Sequence, residues 1–300
     1  MIVASPYLLL SEHLTDYYVA IPAIGVAILG AWAIVCAWRS TIIWRIAAVL
    51  CVAIYLSASL PAARAITQWN HARGARVEDL VLGVAEIHQA QPGKIILLDG
   101  IDSDLFWSAI VDVPFRVMEI PHVYLVPGSE SRIAGPASLV TKYALPQGLA
   151  LRAVKEDRAV VYRVDGSLLR NVTSRYRTVW KPEQPRFINL GDSVFSEYLG
   201  AGWQEIADGY RSMSGRATIH MGGPRSPNDR LYVGVFDVQQ FHISLRVDGV
   251  DTPAELIRRD YELSEFAARL PSSLMRKEVV EITLSTGSPQ PLKFGFFEIR

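Results

Sequence analysis

No charged residue interrupts the chain between Val19 and Trp38, and none occurs between Ile46 and Ala63. Such runs reach the roughly 20 residues, or about 17 at the short end, that an α-helix needs to cross a hydrocarbon core of about 30 Å. The pattern predicts two transmembrane helices, 19–38 and 42–62, closed by the RSTIIWR turn into an antiparallel hairpin within a membrane segment 1–66. Tyr17 and Tyr18 mark one boundary of the first run, and Trp38 and Trp44 stand at the other beside Arg39 and Arg45. Amphipathic rings and long basic stems are the side chains that suit a membrane interface. A secretory signal would need a basic start and a shorter apolar run, whereas Glu12 and Asp16 make this flank acidic. Two uncharged runs this close together also fit poorly with core helices of a water-soluble fold. Arg39 and Arg45 place the turn in the cytoplasm, because the amino-terminal flank has no basic residue; Arg64, Arg73 and Arg76 argue the other way but lead into a long domain, where the rule weakens. The carboxy-terminal part is then expected outside the cytoplasm.

From about Gln68 the periodicities change. In VEDLVLGVAEIHQA, residues 77–90, an amphipathic helix puts Val77, Leu80, Val81, Val84 and Ile87 on one face. KIILLDG follows a QPG turn and reads as a strand buried on both sides. IDSDLFWSAI opens a short helix, and VYLVPG (123–128) and AVVYRVDG (159–166) read as further strands, so 67–166 is expected to be a small α/β domain. The polar stretch 167–185, with two prolines near its end, reads as a linker; its Asn171-Val172-Thr173 matches the short N-glycosylation pattern. Beyond it, GRATIHMGG, RLYVGVF, FHISLRVDG, EVVEITLST and LKFGFFEIR are short, partly alternating and separated by turn residues. They predict an antiparallel, jelly-roll-like β-sandwich over 186–300. Within it, AELIRRDYELSEFAARL is readable as a helix, or its second half as a strand running into a loop.

Thirty acidic residues balance thirty basic ones in the 300-residue chain, which argues against nucleic acid as a partner. Cys36 and Cys51 both fall in the apolar runs, leaving the outer part without a disulfide framework. The histidines lack metal-ligand spacing, no phosphate-cradling or nucleophile-elbow motif occurs, and no metal or cofactor is expected. Asp99, Asp102 and Asp104 follow a strand end, where open α/β sheets bind ligands; they suit a divalent cation or sugar hydroxyls, unless Asp102 or Ser103 merely caps a helix. The set lacks the glycine and distant glutamate of an EF-hand loop. Gly25 and Gly30, with Ala23, Ala27, Ala31 and Ala33, offer a small-residue face for other transmembrane helices, and membrane lipids are the remaining expected contact.

HLTDYYVAIPAIGVAIL resembles the late extracytoplasmic loop and following helix of bacterial membrane glycosyltransferases of the GT-C type. GDSVFSEYLGAGWQEIADGYRSMSGRATIHMGGP is similar to the carbohydrate-binding-like β-sandwich attached to such enzymes, with Trp203, Glu205, Tyr210 and Met213 on its pattern and Ser212 where an aromatic is usual. Together the two stretches touch about a sixth of the chain. The resemblance implies a bacterial inner-membrane protein of the cell envelope. It also implies sugar stacking on Trp203 and Tyr210 with Glu205 and Arg211 fixing hydroxyls, in competition with burial of the rings as core. His13 and Tyr18 are implied contacts for a polyprenyl-phosphate-linked sugar. Family members have many membrane helices and an acidic residue in an early loop as base; neither is in this chain, which resembles the last portion of such an enzyme, with outer domains positioning a glycan acceptor and catalysis incomplete. The alternative is a non-enzymatic, membrane-anchored interaction or scaffold protein.

Overall fold

The structure, a computed structural model, describes residues 20–111, 114–236, 243–259, 263–275, 277–287 and 290–300. His13, Tyr17 and Tyr18 lie outside them. The chain divides into two compact units, Met1–Arg73 and Gly74–Arg300.

In the first unit, α1 (Ala20–Trp38) is followed after three residues by α2 (Ile42–Ala90). The apolar side chains of both helices, among them Ile24, Leu29, Trp32, Ile43, Val49 and Ile54, are exposed. Near the turn, Ile34 and Trp38 of α1 share a cleft with Val49, Val52 and Leu56 of α2. The second helix does not end at residue 62, where charges resume; it continues to Ala90 through Pro61 and takes in the amphipathic 77–90 segment. Polarity alone does not stop a helix. The stretch after Pro61 is rich in Ala and Arg, strong helix formers, the Thr67 hydroxyl donates to the Ala63 carbonyl at 2.9 Å, and Arg73 stacks over the Trp69 ring one turn back.

The second unit begins with the last turns of α2. Leu80, Val84 and Ile87 are buried there, with Val77 and Val81 packed beside them, the face that the 3.6-residue period marks. They cover one side of a sheet ordered β2-β1-β3-β4. Its strands are β1 (Ile95–Asp99), β2 (Val123–Leu125), β3 (Ala159–Asp165) and β4 (Leu168–Asn171). Strand β1 pairs in parallel with β2 on one side and β3 on the other, and β4 closes an antiparallel hairpin on β3. All five residues of β1 are buried. Ile96 and Leu98 pack with α2 and with Phe106 and Phe115. Ile95 and Leu97 face the other way, toward Leu149 and Val154. Between β1 and β2 run α3 (Ser103–Leu105), a π-helical turn Phe106–Ile110 and α4 (Pro114–Val117); between β2 and β3 run α5 (Ala137–Thr141) and α6 (Gln147–Lys155).

The stretch expected as a linker is structured. It contains β4, α7 (Thr173–Val179) and Trp180, which is buried and lies against the Tyr176 ring at 4.6 Å. The next residues form a strap on α6, where a Cβ on Gly148 would lie 1.6 Å from the Glu183 carbonyl oxygen, so only glycine fits.

Strands β5 (Phe187–Asn189), β6 (Trp203–Ala207), β7 (Tyr210–Met213), β8 (Arg216–Gly222), β9 (Arg230–Phe236), β10 (Ile243–Val247), β11 (Val250–Asp251), β12 (Ala254–Arg259), β13 (Leu263–Arg269), β14 (Val279–Thr286) and β15 (Leu292–Ile299) follow. They form two antiparallel sheets, β11-β10-β14-β8 and β12-β13-β9-β15-β7-β6, with β5 also paired to β15. This is a β-sandwich, and the segment readable as a helix is the β12–β13 hairpin. Alternate residues point inward, such as Ala217, Ile219 and Met221 of β8 against Leu231, Val233 and Val235 of β9. Those residues belong to the same hydrophobic core as Ile95, Leu97 and α6, so the α/β layer and the sandwich are packed together rather than strung on a tether.

Candidate functional site at the junction of the α/β layer and the sandwich

The three aspartates of LLDGIDSD do not converge. Asp99, 1% exposed, ends β1 opposite Arg163 of β3. Arg163 donates to its Oδ2 from Nε at 2.8 Å and Nη2 at 2.6 Å, and Arg132 donates to Oδ1 at 3.2 Å. Burial pushes the Asp99 carboxyl up, but hydrogen bonds from Arg163, Tyr176 and Arg132 outweigh it and hold the carboxyl below its ordinary value. Asp102 caps α3, accepting from the Leu105 N–H at 2.8 Å, and takes Arg76 at 2.6 Å; Asp104 stands 3.6 Å from the same guanidinium. Each carboxylate thus already has a cation. Among the described residues no group of three or more His, Cys, Asp or Glu side chains is placed to hold a metal ion.

The residues expected to contact sugar on the sandwich are spread over two kinds of surroundings. Trp203 packs edge-on against Phe294 and Phe297, at 5.6 and 6.2 Å between ring centroids, and its indole N–H donates to the Thr218 carbonyl at 2.8 Å. Arg211 donates to the carbonyls of Leu190 and Gln204 at 3.2 and 3.3 Å and to the Ser196 hydroxyl at 2.6 Å, tying the loop after β5 to β6 and β7. Tyr210 is half-buried between the Phe236 ring, 5.8 Å away, and the Lys293 ammonium, 5.1 Å from its centroid. Glu205 is exposed.

A different set of groups meets in a cleft between the α/β layer and the sandwich, lined by Arg116, Glu119, His122, Asp192, Ser193 and Ile206 among others. His122 immediately precedes β2, Tyr124 is its central residue, and Asp192 comes from the loop that leaves β5. That loop lies tight on the β6–β7 turn, because a Cβ on Gly191 would stand 2.1 Å from the Gly209 carbonyl oxygen. Asp192 is 8% exposed. Its Oδ2 accepts the Tyr124 hydroxyl in a short hydrogen bond, and its Oδ1 accepts the Val194 N–H at 3.1 Å. Burial and the neighbouring carboxylate push the Tyr124 phenol far above its ordinary value, so it remains the donor. The His122 Nδ1 sits 3.7 Å from Asp192 Oδ1, too long for a hydrogen bond. Among the described residues that buried nitrogen has no hydrogen-bond partner, a deficit worth about 1–3 kcal/mol. At the rim, Glu119 has a left-handed backbone, φ 60°, which costs a non-glycine residue about 1 kcal/mol.

Sequence reasoning did not single out this set. Its members lie some 70 positions apart, and neither the PHVY nor the LGDS stretch carries a spacing signal. The one hint was a polar Asp in an apolar stretch ahead of β6.

No protein family model matches the chain, and no curated protein matches it. The resemblance to GT-C glycosyltransferases therefore has no family model behind it. Among solved structures, a CBM35 carbohydrate-binding module from Paenibacillus barcinonensis is similar over 39% of this chain and 90% of that chain, at 8% identity and a TM-score of 0.22.

Proposed function

We propose that this chain is a membrane-tethered glycan-holding module of the bacterial cell envelope. In this reading α1 and the first part of α2 cross the inner membrane as a hairpin, and the unit from Gly74 onward works outside the cytoplasm. Its role is that of the carboxy-terminal part of a glycosyltransferase-like protein, positioning a glycan acceptor or a polyprenyl-phosphate-linked sugar. The observation that carries the tether is the α2 stretch, long and apolar enough to span a bilayer with none of it buried. In lipid each such Leu, Ile or Val would leave water, gaining about 1.5–3 kcal/mol, while the helix satisfies its own backbone. The glycan part rests on the sequence resemblance of the sandwich segment. Full-length protein in detergent micelles is expected to be retarded on immobilised bacterial-envelope oligosaccharides, with roughly millimolar affinity, about 4 kcal/mol. Failure to retard on every oligosaccharide tried would sink the glycan reading. Ser40→Cys, in the turn, is expected to resist a membrane-impermeant thiol reagent on intact cells; labelling there would reverse the orientation.

A scaffold reading has its own observation: among the described residues outside their own helix backbone, a Cβ added at Gly25 or Gly30 would meet nothing within 4 Å, a face suited to a partner helix. Stable co-purification with another membrane protein, together with no glycan retention, would favour it.

A further inference from the structure

We infer that the cleft at the start of β2 is the hydroxyl-recognition site of this module, with His122 as the ligand's hydrogen-bond acceptor and Asp192 as the residue that positions it. The inference rests on the glycan-holding reading above and names its site.

The ligand class follows from what lines the cleft. Arg116 brings donors, Glu119 acceptors, Ser193 a hydroxyl that does both, and His122 an imidazole. Ile206 and Pro121 supply its apolar side chains, and among the described residues no Phe, Tyr or Trp ring lines it. A nucleobase would lack a stacking platform. A strongly anionic ligand would meet Glu119 and Asp192, and a cationic one Arg116. A neutral polyhydroxyl, which offers donors and acceptors in alternation, matches all of these groups at once.

The role of His122 follows from its unmatched nitrogen. Nδ1 is buried and stands 3.7 Å from a carboxylate oxygen of Asp192, the partner within reach among the described residues. That carboxylate is itself fixed by the Tyr124 hydroxyl and the Val194 N–H. Such a carboxylate selects the tautomer with hydrogen on Nδ1, and Nε2 is then the acceptor left for the ligand. Bound hydroxyl donates to Nε2, and the Nδ1–Asp192 gap closes to a hydrogen bond, in line with polar contacts that tighten only when a site is filled.

The test uses full-length protein in micelles, with imidazole signals followed by ¹H–¹⁵N correlation while methyl α-mannoside, N-acetylglucosamine and envelope oligosaccharides are added in turn. The expected result is that His122 carries its hydrogen on Nδ1, that its signals move with the oligosaccharide that binds, and that His122→Ala weakens that binding about tenfold. Arg116→Ala, a change at an exposed residue, should weaken binding as well with melting unchanged, so the site remains testable if His122→Ala is poorly folded. A glycan that binds while His122 stays silent overturns this inference and leaves the proposed function standing. Hydrogen on Nε2 in the free protein also overturns it. Absence of any glycan binding overturns the proposed function and this site with it.

Discussion

Asp99 and Asp192 are buried to a similar degree, 1% and 8% exposed, and both stand at the end of a strand or just past one. Asp99 is held by two arginines from β3 and the loop after β2. Asp192 has a neutral phenol, one backbone N–H and a histidine that stops short of it. In the first region every demand of the buried charge is met by protein. In the second the carboxylate is satisfied, but the imidazole beside it is not, and the groups around it open onto a cleft. Burial of an acid therefore says little about function by itself; the informative feature is which polar atom in its surroundings remains unmatched.

The largest expected effect comes from a ring whose one polar atom is, like Asp99, matched by protein. Trp203→Ala removes a ring lodged against Phe294 and Phe297 and a donor to Thr218, and should destabilise the second unit by about 3 kcal/mol, the lower end for a large aromatic because the ring is only partly buried. Thermal or urea unfolding followed by near-ultraviolet circular dichroism measures it. An unchanged melt with lost glycan binding would instead make Trp203 a sugar platform rather than a structural ring.

Asp99→Ala is expected to cost somewhat less, about 2 kcal/mol. The full penalty of breaking a buried pair is about 3–5 kcal/mol, but Arg163 and Arg132 are 39% and 53% exposed and can turn to water. The sign of the pH effect is fixed by the direction of the Asp99 shift. Its carboxyl is held below the ordinary value in the folded chain, so its contribution is present above about pH 4 and is lost as the pH falls through the folded value. Wild type should therefore lose stability on acidification more steeply than Asp99→Ala. Parallel acid limbs for the two proteins would show that the arginines are not coupled to this group.

Much of the architecture was legible in the chain. The strand segments between Gly215 and Arg300 appear as β8, β9, β10, β14 and β15, because two-residue alternation between turn residues is a local signal. The continuous apolar run of β1 and the face Leu80, Val84 and Ile87 were legible for the same reason. The end of α2 is not, since the return of charged residues after Ala63 does not stop a helix and Pro61 is accommodated within it. Nor was the ordered stretch 167–185, whose Trp180 is buried by residues distant in sequence. The site is the least local feature. His122 and Asp192 meet only because the α/β layer and the sandwich share one core, and no spacing rule within either stretch encodes that meeting.

The smallest and most discriminating change is Tyr124→Phe. It keeps the buried ring and removes only the hydroxyl that donates to Asp192 Oδ2, so the expected loss is that of one hydrogen bond to a charged group, about 1.5 kcal/mol. Asp192 keeps its Val194 N–H and gains freedom to swing. With the phenol gone, the carboxylate can take up the His122 Nδ1, now 3.7 Å away, and the pair should close to a hydrogen bond without any ligand. The variant is then expected to show, in the free state, the imidazole signals that wild type reaches only when the cleft is filled. If those signals stay at their wild-type free position while the melt drops by the expected amount, Tyr124 serves only to satisfy a buried acid, and Asp192 belongs with Asp99.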